Sequence, residues 1–119
     1  MLRIDKLSPI PIYKQIIFQV KKEIILGKLK EGDRLPSVRD LAETLGVNVN
    51  TVLKAYERLA LEGIVDSEQG KGFFIKRATK VPEETIALLK KAALQLKRSK
   101  VELGLAMMII QEVWSDEKV

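Results

Sequence analysis

Residues 45–56 read LGVNVNTVLKAY, and the placing of their polar side chains decides how the chain folds. Gly46 ends whatever helix precedes it, because glycine adopts the left-handed conformation of a helix stop at no steric cost. Asn48 is the next good N-cap. Only Gly46 and Val47 lie between the two, so the flanking helices must turn sharply against each other, which is helix-turn-helix spacing. One asparagine is enough to cap a helix, yet Asn50 and Thr51 follow within the first turn. The surplus polar groups call for a partner outside the helix.

Upstream, Pro36 blocks helix and Ser37 opens one. In SVRD (37–40) the serine can accept the third helical N–H while Asp40 reaches back, a capping box with Asp in place of the usual Glu or Gln. Val38, Leu41, Ala42 and Leu45 make its apolar stripe. Downstream, Val52, Ala55, Tyr56 and Leu59 recur at helical spacing up to a stop at Gly63, which leaves Asn50, Lys54, Glu57, Arg58 and Leu61 on the outer face.

Further out, Pro9 and Pro11 hold an extended entry, and a helix is expected from Pro11 onward. Its face is Ile12, Ile16, Ile17, Val20 and Ile24, and its stop is Gly27. Beyond Gly63 the period shortens to IV (64–65) and FFI (73–75) around DSEQGKG, which predicts a β-hairpin with Gln69, Gly70 and Lys71 at its tip. A hairpin directly behind a helix-turn-helix is a wing. From Pro82 the chain turns helical again through Ile86, Leu89, Ala93 and Leu96. A second cap pattern, SKVE (99–102), predicts a break with Ser99 opening a last helix through Leu103, Ala106, Met107, Ile110 and Trp114.

The fold class is therefore mainly α with a small β-hairpin: a winged helix-turn-helix over 1–76 and a two-helix tail over 77–119. Composition narrows the function. With no Cys and no His among 119 residues, disulfides, Cys/His metal sites, Cys nucleophiles and His-based triads are excluded, so no enzyme and no cofactor is expected. The net charge of +5 favours a polyanion as partner. The start lacks the apolar stretch of a secretory signal, and the longest apolar run, 103–110, is too short to span a bilayer. A cytoplasmic protein without a membrane partner is the expectation.

Taken together, PIYKQI (11–16), LPSVRDLAETLGV (35–47), NVNTVLKAYERLALEG (48–63) and QGKGFFI (69–75) resemble the GntR family of bacterial transcription regulators. The short helical tail resembles that of its YtrA-like subfamily, whose members lack a large effector domain. The resemblance implies a homodimer on operator DNA, with the third helix in the major groove and the wing in the adjacent minor groove. Arg39, Asn48, Asn50, Thr51, Gln69 and Gly70 match the family's DNA-contacting places, and Ser37 and Lys54 match phosphate contacts. Side-chain chemistry agrees: Arg39 can pair with guanine, Asn50 with adenine, and Val49 and Leu53 can meet thymine methyls. Lys71 suits a phosphate or a narrow minor groove. Two departures stand out. Glu68 and Gln69 precede Gly70 where relatives often carry basic residues, and Phe73 stands where a small polar residue is more usual.

The tail is too short to stabilise itself unaided. It must fold back on its own chain or bury Leu89, Ala93, Leu96, Leu103, Met107, Ile110 and Trp114 against a second copy, and the two-fold symmetry of typical operators favours the second. The expected function is a sequence-specific regulator, a repressor on an inverted-repeat operator, with any small-molecule effector left open. The rival is a winged-helix protein-interaction module, which would present a more apolar start to the third helix than NVNT.

Overall fold

Three helices and a hairpin, followed by two more helices, make up the computed structural model, which describes residues 2–116: α1 (Ile12–Ile25), α2 (Val38–Leu45), α3 (Val49–Leu61), β1 (Val65–Glu68), β2 (Gly72–Ile75), α4 (Glu83–Arg98) and α5 (Leu103–Ser115). The chain divides into two compact units, one ending at Val81 and one beginning at Pro82.

In the first unit, Pro11 is the residue before α1 and not its first turn: its ψ of 142° is extended, and its carbonyl accepts the Lys14 and Gln15 N–H groups. The helix buries Ile16, Val20 and Ile24 and stops where the sequence places its glycine. Gly27, at φ 75°, donates to the Ile24 carbonyl, and Lys28 donates to the Glu23 carbonyl, the paired bonds of a Schellman ending. Both helices of the helix-turn-helix are capped by side chains. Ser37 Oγ accepts from Asp40 N at 3.1 Å, and Asn48 Oδ1 accepts from Asn50 N at 2.7 Å. Among the described residues the return bond of the capping box, from Asp40 to the Ser37 N–H, is not made, because Asp is one methylene shorter than Glu. Gly46 closes α2 at φ 66°.

One core joins these elements: Ile16, Val20 and Ile24 of α1, Leu41 and Ala42 of α2, Val52, Ala55, Tyr56 and Leu59 of α3, and Leu35, Val65 and Ile75 from the loop and hairpin. The strands pair antiparallel with Val65 opposite Ile75 and Glu68 opposite Gly72. β1 thus runs on through Asp66, Ser67 and Glu68, which the sequence assigns to the connection. These side chains are exposed, and pairing with GFFI makes them a strand. On its other edge β2 is bridged by the chain entering α2: Leu35 N donates to the Phe73 carbonyl and Ile75 N to the Asp33 carbonyl. Residues 76–81 stay with this unit through Lys76 N to the Ile64 carbonyl and Val81 N to the Ile25 carbonyl.

The second unit holds α4 and α5, separated as expected, but by a different device. Ser99 ends α4 instead of opening α5. Lys100 follows in the left-handed conformation at φ 60°, Val101 N bonds the Leu96 carbonyl and Lys100 N the Lys97 carbonyl. This is a Schellman ending built without glycine. Glu102 then precedes α5 with no side-chain cap. Among the described residues of this unit only Ala106, 8% exposed, is buried.

Candidate nucleic-acid interface

The α3 N-terminus is an exposed polar edge on an amphipathic helix. Val52, Ala55, Tyr56 and Leu59 are fully buried, while Asn48, Val49, Asn50 and Lys54 are exposed and Thr51 and Leu53 half-buried. The two asparagines differ in what remains available. The Asn48 amide oxygen accepts the cap bond, which fixes its side chain, whereas the Asn50 side chain makes no bond among the described residues and keeps donor and acceptor together. Before the helix, Lys6 Nζ donates to the Gly46 carbonyl at 2.9 Å and fixes the entering chain to the turn. Arg39, in the first turn of α2, is exposed, and Ser37 is half-buried with its hydroxyl engaged in the cap.

Tyr56 ties the surrounding elements together. Its hydroxyl donates to the Pro36 carbonyl at 2.8 Å, at the entry to α2, and its ring meets Phe73 of β2 edge-on, with centroids 5.0 Å apart and planes at 65°. The aromatic that departs from the family pattern at position 73 is thus a packing residue holding the hairpin to α3. Burial pushes the Tyr56 hydroxyl's pKa well above the ordinary tyrosine range.

The hairpin tip, Gln69, Gly70 and Lys71, is exposed. Lys71 N bonds the Glu68 carbonyl at 2.9 Å, and Gly70 at φ 79° supplies the positive φ that a type II turn needs at its third position. Lys71 Nζ lies 3.9 Å from the Glu68 carboxylate, with both side chains largely in solvent.

Two features escaped the sequence reading. Lys54 Nζ sits 4.0 Å from the centroid of the Tyr13 ring and the Arg58 guanidinium 5.7 Å from it, so an α1 aromatic holds two α3 cations that look like ordinary solvated charges in sequence. The second is Arg34, exposed beside the hairpin, whose guanidinium lies 3.6 Å from where a Gly72 Cβ would stand. The only sequence hint for the first was Lys54 and Arg58 at i, i+4 spacing. For the second there was none, since the β2–loop bridge is non-local.

Three helices, a tight turn and a bridged hairpin define a winged helix-turn-helix. The chain belongs to the gntR family of bacterial regulatory proteins, whose model matches residues 12–75. It is 43% identical over 98 residues to the HTH-type transcriptional repressor YtrA of Bacillus subtilis, covering 81% of this chain and 75% of that one. It is similar in structure to YtrA from Sulfolobus acidocaldarius, a GntR-family transcription factor, at 41% identity and a TM-score of 0.59 over 79% of this chain and 97% of the other. The DNA-binding domain of AraR in complex with operator ORX1 matches 62% of this chain and 92% of its own length at 30% identity and a TM-score of 0.55.

Proposed function

We propose that this chain is a sequence-specific, DNA-binding transcription regulator, a repressor that holds an inverted-repeat operator as a homodimer. One observation carries the reading: an exposed polar edge at the N-terminus of α3, with Asn50 uncommitted, together with a hairpin whose exposed tip carries Lys71. Helix N-termini attract phosphate, and short amides there can reach base edges. A protein-interaction module would present apolar groups at this edge, and only Val49 does so among residues 48–51. Operator binding by AraR and repression by YtrA, both similar chains, support the same reading.

In this reading Arg39, Asn50, Val49 and Leu53 meet base edges, while Ser37, Asn48, Thr51, Lys54, Gln69, Gly70 and Lys71 hold backbone or groove. The tail, expected over 77–119, joins the second copy through its helical unit from Pro82 onward. Selection of bound fragments from random DNA should return an inverted repeat with half-sites about one helical turn, or a small multiple, apart. If each subunit neutralises about three phosphates, log Kd against log salt should have a slope of magnitude about 5. Binding that ignores salt or survives scrambling of the repeat refutes the proposal.

A further inference from the structure

We propose that Tyr13 is a positioning residue for DNA binding: its ring holds the Lys54 ammonium ready for a phosphate of the duplex, so that α1 sets the reach of a cation on α3. The inference rests on the reading of Lys54 as a phosphate contact. Tyr13 is half-buried in the first turn of α1, Lys54 is exposed in the second turn of α3, and the ammonium stands 4.0 Å from the ring centroid. Arg58, one turn further along α3, leans on the same ring at 5.7 Å. These are like charges at i, i+4 spacing, which repel on an isolated helix. The electron-rich ring face offsets that repulsion and lets both stay on one side of α3.

What the ring does not do matters as much. Lys21 with Glu62 and Lys71 with Glu68 each join a cation to a carboxylate. Among the described residues Lys54 and Arg58 have no such partner. A carboxylate would orient a lysine by neutralising it, and a phosphate would then have to displace it. A ring face orients the ammonium and leaves its full charge and its N–H donors for an anion. The lysine's rotamer freedom is thus largely spent before DNA arrives, and prior ordering of that kind raises affinity without any new contact.

The test uses the full chain, a mixed-sequence duplex and a duplex selected by the wild-type protein, with binding followed by fluorescence anisotropy at several salt concentrations. Tyr13→Phe keeps the ring face and should bind like wild type. Tyr13→Leu should weaken binding to both duplexes alike, by about two- to fivefold. In a Lys54→Gln background Tyr13→Leu should cost nothing further, since the ring then has no ammonium to hold. Full additivity of the two changes overturns the proposal, as does a Tyr13→Phe loss equal to that of Tyr13→Leu, which would make the hydroxyl the acting group. Should Tyr13→Leu fail to fold by circular dichroism, Tyr13→Met takes its place. A DNA-free measurement separates the two levels of the argument. The Lys54 ε-methylene protons should be shifted upfield by the ring current in wild type and Tyr13→Phe, and released in Tyr13→Leu. A shift that is present while Tyr13→Leu leaves affinity unchanged sinks the positioning role, whereas the wild-type titration itself reports on DNA binding.

Discussion

Asn48 and Asn50 stand two residues apart and differ in what they offer a partner, because one of them is already bonded. With its oxygen held 2.7 Å from Asn50 N, Asn48 is oriented by the cap, whereas Asn50 has its donor and acceptor both uncommitted and can pair with the acceptor and donor of adenine in the major groove. Asn50→Ala, like Arg39→Ala, is therefore expected to cost about 1–3 kcal/mol on the best site and to relax preference at particular base pairs. Lys71 belongs to the opposite class. Lys71→Ala should weaken all sequences nearly alike and lower the salt slope by about one unit. The Glu68 carboxylate, 3.9 Å from Lys71 Nζ, both repels phosphate and competes for that ammonium, so Glu68→Gln should tighten binding. Titrations of single-base operator variants at several salt concentrations check all four. Altered base preference in Lys71→Ala, with a uniform loss in Asn50→Ala, would reverse this division of labour.

At the scale of elements, Tyr56 decides how α2, α3 and the hairpin are held. Tyr56→Phe removes the bond to the Pro36 carbonyl and keeps the edge-on contact with Phe73, which should cost about 1 kcal/mol near neutral pH by urea denaturation. Because burial raises the folded-state pKa above the ordinary 10.0, the unfolded chain releases this proton first as pH rises. Wild type should then lose stability relative to Tyr56→Phe above about pH 10, so the gap between them narrows. A constant gap from pH 7 to 11 would show that the hydroxyl is not buried in the folded protein. What the sequence revealed about these elements follows from range. The stripes, the Asn48 cap and the glycine stops at 27 and 46 are local in their physics, and the tail's two helices showed in its apolar stripe and the SKVE pattern at 99–102. Asp66, Ser67 and Glu68 became strand only because a partner strand lies opposite. Ser99 looked like a cap because its fit with Glu102 is local, yet the Leu96 and Val101 pairing around a left-handed Lys100 prevailed. The Tyr13 stack joins positions far apart in the chain, which no periodicity registers.

For the whole molecule the unanswered surface is the tail. α5 is apolar around most of its circumference, a pattern suited to a helix covered on several sides. Within one copy of the chain Leu103 is 76% exposed, Trp114 85% and Met107 50%, and Leu105, Met108 and Ile109 share that condition. An apolar surface of this extent is a docking surface. In the proposed dimer a second copy covers it, and this occupant would also account for the proposed two-half-site operator, because a two-fold axis gives both copies the same patch. Met107→Glu or Ile110→Glu places a charge on the stripe without touching the core shared by α1, α2, α3 and the hairpin. Each should convert a dimer to a monomer in sedimentation while the near-ultraviolet signature of the first unit is kept. Affinity for a single half-site should then stay as it was, while affinity for the full repeat should fall by about a hundredfold or more as the second contact ceases to be intramolecular. A dimer that survives both charged variants would mean that the tail's apolar face serves another partner and that the winged units pair by themselves.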